Sequence, residues 1–130
     1  MIVRSIFCAT NQKKFAKPIN AISIVDEYLE HARVFYFYAS GKESMYISSA
    51  DWMTRNLDYR IEAAVPINNK KIKAELLEML EIQLRDNVKA RILDNNLENN
   101  YVKNKQQPCR SQIELYHFLK SKIKEDQQPS

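Results

Sequence analysis

An α+β fold, a mixed β-sheet backed by helices, is what the sequence predicts, and three patterns predict it. Two stretches carry apolar residues at helical spacing: Ile72, Leu76, Leu80, Leu84 and Val88, then Ile113, Tyr116, Leu119 and Ile123. Residues 34–38 and 45–47 are aromatic and β-branched and flank a Ser40-Gly41-Lys42 turn, which reads as a hairpin. Finally, Tyr59, Ile61, Ala63, Val65 and Ile67 alternate with Asp58, Arg60 and Glu62, the period of a strand with one buried face.

The remaining elements follow in order. Residues 1–8, with Ile2, Val3, Ile6 and Phe7, form a strand interrupted by Arg4, and polar residues up to Pro18 make a loop. From Ser23, the spacing of Ile24, Val25, Tyr28 and Leu29 predicts a short helix ending near His31. The hairpin comes next, then an irregular segment over 51–56 and the alternating strand, with Pro66 at its end or edge. Asn68-Asn69 offer caps to the longest helix, whose stripe Leu77 widens while Glu75 and Glu78 fall outside. Residues 90–93 add a short strand, and the Asn-rich 94–107 stretch is poorly periodic. Ser111 and Glu114 form a capping box that opens the last helix. With 130 residues and no internal repeat, 1–130 is read as a single domain.

Composition excludes several functions. Twenty basic against 16 acidic residues give a net charge of +4, which permits a polyanionic partner without demanding one and signals no specific nucleic acid. Gly41 is the only glycine, so a P-loop, a kinase-type glycine loop and a dinucleotide fold are all excluded. Any phosphate must be met by side chains. Cys8 and Cys109 lie far apart without metal-ligand spacing, so neither a metal site nor a disulfide framework is signalled. No apolar stretch approaches the roughly 20 residues of a membrane span. Residues 1–8 are too soon interrupted to be a secretion signal, which leaves the cytoplasm as the expected location.

Three groups could carry chemistry. His31, at the predicted helix end, would feel a dipole favouring its protonated form, suited to binding phosphate or donating a proton. A simple helix-capping histidine is the alternative. Ser48-Ser49-Ala50-Asp51-Trp52-Met53-Thr54-Arg55-Asn56 gathers hydroxyls, a carboxylate, a guanidinium and an amide just after a strand. It reads either as a phosphate loop, with Arg55 as a forked donor, or as a polar turn plugged by Trp52. Arg4, within an apolar run, must find an anion, an internal carboxylate or the surface. His117 sits in the last helix without a chemistry-bearing neighbour.

Longer strings decide more. Ile22-Ser23-Ile24-Val25-Asp26-Glu27-Tyr28-Leu29-Glu30-His31-Ala32-Arg33-Val34-Phe35-Tyr36-Phe37 closely resembles the polyphosphate kinase motif around the second active-site histidine. Tyr46-Ile47-Ser48-Ser49-Ala50-Asp51-Trp52-Met53-Thr54-Arg55-Asn56-Leu57-Asp58-Tyr59-Arg60-Ile61-Glu62 resembles the family's next conserved stretch. The likeness runs on through Val88-Lys89-Ala90-Arg91 to the final helix. It covers nearly all of this chain but only the C-terminal part of the family's polypeptide.

The resemblance implies a phospholipase D-like half, one of two that meet at an active site transferring the terminal phosphate of ATP reversibly to inorganic polyphosphate. The other half supplies a histidine that becomes phosphorylated. His31 then acts as general acid or phosphoryl stabiliser, and Arg4 matches the nucleotide-binding arginine. Arg33, Ser49, Asp51, Arg55 and Asn56 are further candidates for ATP or phosphate binding. Arg33 stands where the superfamily's His-x-Lys has lysine, and Asp51 where Gly-Ser-x-Asn has asparagine. Glycines common in the family are replaced by Ser5, by Ser48 and within residues 10–18.

The family also implies ATP or ADP as substrate and magnesium for the full enzyme, although no metal ligands are evident in this chain. The implied partners are polyphosphate and the enzyme's remaining domains, with homo-oligomers and peripheral membrane association of the full enzyme left open. Without those domains the isolated chain is expected to be inactive. The alternatives are a non-catalytic polyanion-binding module and a phospholipase D-like phosphodiesterase.

Overall fold

In a computed structural model, residues 1–4, 16–96 and 98–126 are described, without the side chains of 125 and 126. The elements are β1 (Ile22–Ile24), β2 (Val34–Ala39), β3 (Lys42–Ser48), α1 (Thr54–Tyr59), β4 (Ala64–Pro66), α2 (Lys70–Leu84), β5 (Ala90–Ile92) and α3 (Ser111–Asp126). The α+β class is as expected. Its strands fall into two small antiparallel sheets, β1-β5 and β2-β3-β4, and the parallel component is the Ile2–Ile22 bridge. The chain separates into two compact units, Met1–Leu29 with Glu78–Ser130, and Glu30–Leu77.

The second unit is built on the hairpin. Val34 pairs with Ile47 and Ala39 with Lys42, which leaves a two-residue turn of Ser40 and Gly41 at φ of 50° and 80°. Positive φ at both central positions matches the right-handed strand twist, and here the lone glycine is needed. Met45 and Ala50 are buried in this unit. The alternating pattern after residue 58 mostly does not become a strand. Tyr59 ends α1, Ile61 is fully exposed, and β4 is three residues long with all three exposed. The Pro66 ring removes a ladder donor, which helps to keep β4 short and at the sheet edge. The segment expected to be irregular winds into α1 from Thr54.

The first unit holds the main corrections. Residues 23–31 form no helix: Ile22, Ser23 and Ile24 pair with Ile92, Arg91 and Ala90, as suits β-branched residues. The backbone beyond then bonds to side chains instead of to itself. Gln112 clamps Tyr28 from both sides, its Nε2 donating to the Tyr28 carbonyl at 2.8 Å and its Oε1 accepting from the Tyr28 N–H at 3.1 Å. Of the expected first strand, the Val3 N–H donates to the Ile22 carbonyl and the Met1 carbonyl accepts the Ile22 N–H, which bridges Ile2 to β1, and residues 5–8 lie outside the described residues. The Ser111–Glu114 capping box is not formed. Asp86 Oδ2 accepts the Ser111 N–H at 2.8 Å, and Glu114 N–H donates to the Arg110 carbonyl. Asp86 Oδ1 takes the N–H groups of Val88, Lys89 and Ala90, so one buried carboxylate closes the turn after α2 and caps α3.

Asn69 caps α2 as expected, its Oδ1 accepting from Lys71 and Ile72 N–H. The every-fourth stripe does not stay on one face, because each i+4 step advances about 40° around a helix of 3.6 residues per turn. Ile82 is the buried residue of α2, while Ile72 and Leu84 are exposed. In α3 Leu115 is buried, and the expected stripe of Ile113, Tyr116, Leu119 and Ile123 is exposed. Cys109 is free and partly buried, its thiol pushed up by burial, and Cys8 lies outside the described residues.

Candidate functional site

Three side chains of the second unit converge at the entry to the hairpin. Arg33 directly precedes β2, and its carbonyl accepts the Ser48 N–H at 2.9 Å, which extends the β2-β3 ladder by one residue. That pairing brings the loop after β3 within reach. Arg33 Nε donates to Asp51 Oδ1 at 2.7 Å and Nη2 to Oδ2 at 3.3 Å, the planar fork meeting the carboxylate. Arg33 Nη2 also lies 2.8 Å from His31 Nε2, which stands 3.3 Å from Asp51 Oδ1. The His31 side chain is 62% exposed, so solvent and solutes reach the imidazole. No helix among the described residues precedes His31, so no helix dipole acts on it, and the neighbouring guanidinium and carboxylate set its environment instead.

The electrostatics follow from those contacts. The Arg33 hydrogen bond, opposed by burial, brings the Asp51 carboxyl down to about 2. Reciprocally, the Asp51 hydrogen bond raises the Arg33 guanidinium above its ordinary value, and Glu62 adds a smaller attraction. The loop is stitched beneath. Ser48 Oγ donates to the Ala63 carbonyl and accepts the Ala50 N–H, while Ser49 Oγ donates to the Glu62 carboxylate and accepts the Ala63 N–H. Trp52 does not plug a core. It is 69% exposed and stacks on Phe35 with ring centroids 5.4 Å apart.

The other expected residues are placed as follows. Arg55 lies exposed on α1 with no ion pair among the described residues, and Asn56 beside it is buried. Arg4 belongs to the first unit, is exposed, and donates from Nη1 to the Tyr28 carbonyl at 3.2 Å. Its burial in an apolar strand is therefore avoided at the surface. Glu62 and Gln112 were not singled out in the sequence, where a lone Glu in a strand pattern and a Gln in a helix carry no signal. A concavity lined by Arg85, Gln106, Gln107, Pro108, Cys109 and Glu114 contains none of the expected residues. His117 is exposed beside Tyr116.

Comparison with known proteins bears on this geometry. The family described as polyphosphate kinase C-terminal domain 2 matches residues 1–112. The polyphosphate kinase of Escherichia coli strain K12 is 46% identical over 112 residues, covering 85% of this chain and 16% of that protein. That of Klebsiella pneumoniae is 48% identical over 104 residues, covering 79% and 15%. The crystal structure of polyphosphate kinase from Porphyromonas gingivalis superposes with a TM-score of 0.86 at 45% identity, covering 93% of this chain and 19% of that one. This chain spans about a sixth of the length of the relatives it matches, and it belongs to the polyphosphate kinase C-terminal domain 2 family.

Proposed function

We propose that this chain contributes half of an active site that transfers the terminal phosphate of ATP reversibly to inorganic polyphosphate. The observation that carries the reading is the contact of an exposed imidazole, His31, with the guanidinium of Arg33 in a chain of this family. Phosphoryl transfer relies on positioning and charge stabilisation, and side chains can supply both without a glycine loop. In this reading Arg33 and His31 meet phosphoryl oxygens, with His31 as general acid or charge stabiliser. Arg4 binds the nucleotide, Ser49 and Asp51 shape the loop, and Arg55 attracts the polyanion. Asn56, being buried, takes no part.

The partner half, with its phosphorylated histidine, comes from the remaining domains, and the enzyme works in the cytoplasm. Magnesium accompanies the family's reaction. No cluster of three His, Cys, Asp or Glu side chains that would hold a metal is found among the described residues, so no step is assigned to a metal held by this chain. No helix among them is long and apolar enough to cross a membrane. Trp52, Leu57, Tyr59 and Ile61 are all exposed, which fits a domain that packs against the rest of a larger enzyme.

Two measurements test the proposal. Long-chain polyphosphate should bind the wild-type chain and bind weakly or not at all after His31→Ala or Arg4→Ala. Equal binding by all three would favour a non-catalytic polyanion module held by diffuse charge. The isolated chain should form no polymer from ATP, and robust turnover would refute the half-site reading. Release of alcohol from a phosphodiester would point to phospholipase D-like hydrolysis instead.

A further inference from the structure

We infer that Asp51 is a positioning residue that acts through Arg33 on His31, holding the resting imidazole with its proton on Nδ1, and that a phosphate-class oxyanion releases this hold. The inference deepens the half-site reading and rests on it for the chemistry of the anion. The geometry of the resting state stands independently.

Donors and acceptors around Nε2 decide the tautomer. Arginine carries only N–H donors and stays charged, so the 2.8 Å contact from Arg33 Nη2 is a hydrogen bond only if His31 Nε2 presents its lone pair. An Nε2–H would direct one donor at another. The competing partner for Nε2 is Asp51 Oδ1 at 3.3 Å, an acceptor that suits Nε2–H. Nε2 thus lies between a near donor and a farther acceptor. The near donor prevails because Asp51 Oδ1 already receives Arg33 Nε at 2.7 Å, and Oδ2 receives Nη2. Asp51 fixes the plane and reach of the guanidinium, and the guanidinium fixes the tautomer.

That resting state is the wrong one for a general acid, whose Nε2 must carry a proton. The charges explain how it changes. Arg33 faces Asp51 directly and feels Glu62, so with a neutral imidazole the cluster holds one cation against two carboxylates. An arriving phosphate oxygen competes for the Nη2 hydrogen that His31 Nε2 accepts and takes it from His31. Nε2 then binds a proton from solvent and donates it to the same oxygen, as a charge-assisted hydrogen bond. The N–H bond formed at Nε2 is matched by the H–O bond broken in the hydronium or buffer acid that gives up the proton, and no other covalent bond changes. The imidazole becomes acidic only when an anion is there to receive the proton.

Nitrogen NMR of the imidazoles tests this, because the chain has only two histidines. His117→Gln assigns the signals, and exposed His117 serves as reference. Above the histidine titration range, His31 should show a pyridine-type Nε2 and a pyrrole-type Nδ1. Asp51→Ala and, separately, Arg33→Lys should both remove that bias and return His31 to the pattern of His117. A merely structural role for Asp51 would not exchange the two nitrogens. Near neutral pH, tripolyphosphate should convert His31 Nε2 to the protonated type in the wild type. An Nε2–H tautomer in the wild type, or a bias surviving both variants, overturns the positioning role. Tripolyphosphate that binds yet leaves His31 unchanged overturns the release step. If it fails to bind at all, the half-site reading fails, while the tautomer stands or falls on the anion-free spectra.

Discussion

Each unit of this protein sets an arginine against an aspartate, and the two pairs differ in what encloses them. In the first unit Arg110 forks onto Asp26 at 2.8 Å on both arms, with Lys89 at 3.8 Å, and the Asp26 side chain is only 1% exposed. In the second unit Arg33 forks onto Asp51 at 2.7 and 3.3 Å, but Asp51 is 28% exposed and the same guanidinium touches an open imidazole. The first pair ties the start of α3 to the segment after β1, where Gln112 and Arg4 also meet the Tyr28 carbonyl. The second joins a strand entry to a loop beside solvent. The same ionic chemistry therefore has two uses: enclosed, it fastens the chain; open, it can exchange a partner for an incoming anion.

The contrast can be broken from the enclosed side first. Asp86→Ala strands four backbone N–H groups, those of Val88, Lys89, Ala90 and Ser111, and should destabilise the chain by on the order of 4 kcal/mol, read by urea unfolding. Asp26→Ala leaves Arg110 without its main partner and should cost about 3 kcal/mol in the same assay. Asp51→Ala, in the open pair, should change stability by no more than about 1 kcal/mol while altering the His31 spectrum. A loss from Asp51→Ala as large as that from Asp26→Ala would erase the distinction between the pairs.

Acid sharpens the comparison more gently. Hydrogen bonds from Arg110 hold Asp26 below the ordinary carboxylate range, and burial opposes them. For Asp86 burial pushes upward, but N–H donors from Ser111, Lys89 and Ala90 outweigh it. A carboxyl depressed in the folded state stabilises above its unfolded value near 3.9 and loses that contribution as pH falls through the folded value. For Asp51 the window runs from about 4 to about 2. Stability should therefore be flat near neutrality and fall below about pH 4, and carboxyl carbon shifts should show Asp51 still ionised at the start of that decline.

The hairpin, the Asn69 cap and the two long helices were legible because each depends on local chemistry: β-branched and aromatic runs, a glycine in a turn, an amide before a helix. The expected helix at 23–31 was not, because Ile24, Val25, Tyr28 and Leu29 satisfy a helical period as well as a strand and an extended segment. What decides is pairing with Ala90–Ile92 and the clamp from Gln112, which are distant in sequence. Helix faces misled in the same way, since Leu115 and Ile82, not the longer apolar stripes, meet a core. His31 and Asp51 are legible as chemistry-bearing residues and Arg33 through the resemblance, yet their mutual contact rests on the β2-β3 register, which no spacing rule reveals.

The most direct measurement is complementation. The N-terminal remainder of a polyphosphate kinase, lacking the domain that matches this chain, would be combined with it and ATP-dependent polyphosphate formation followed. The wild-type chain should restore synthesis, and His31→Ala should lower it by roughly 10²–10³. Restoration by His31→Ala equal to wild type, or none by a wild-type chain that stably binds the remainder, would contradict the half-site reading.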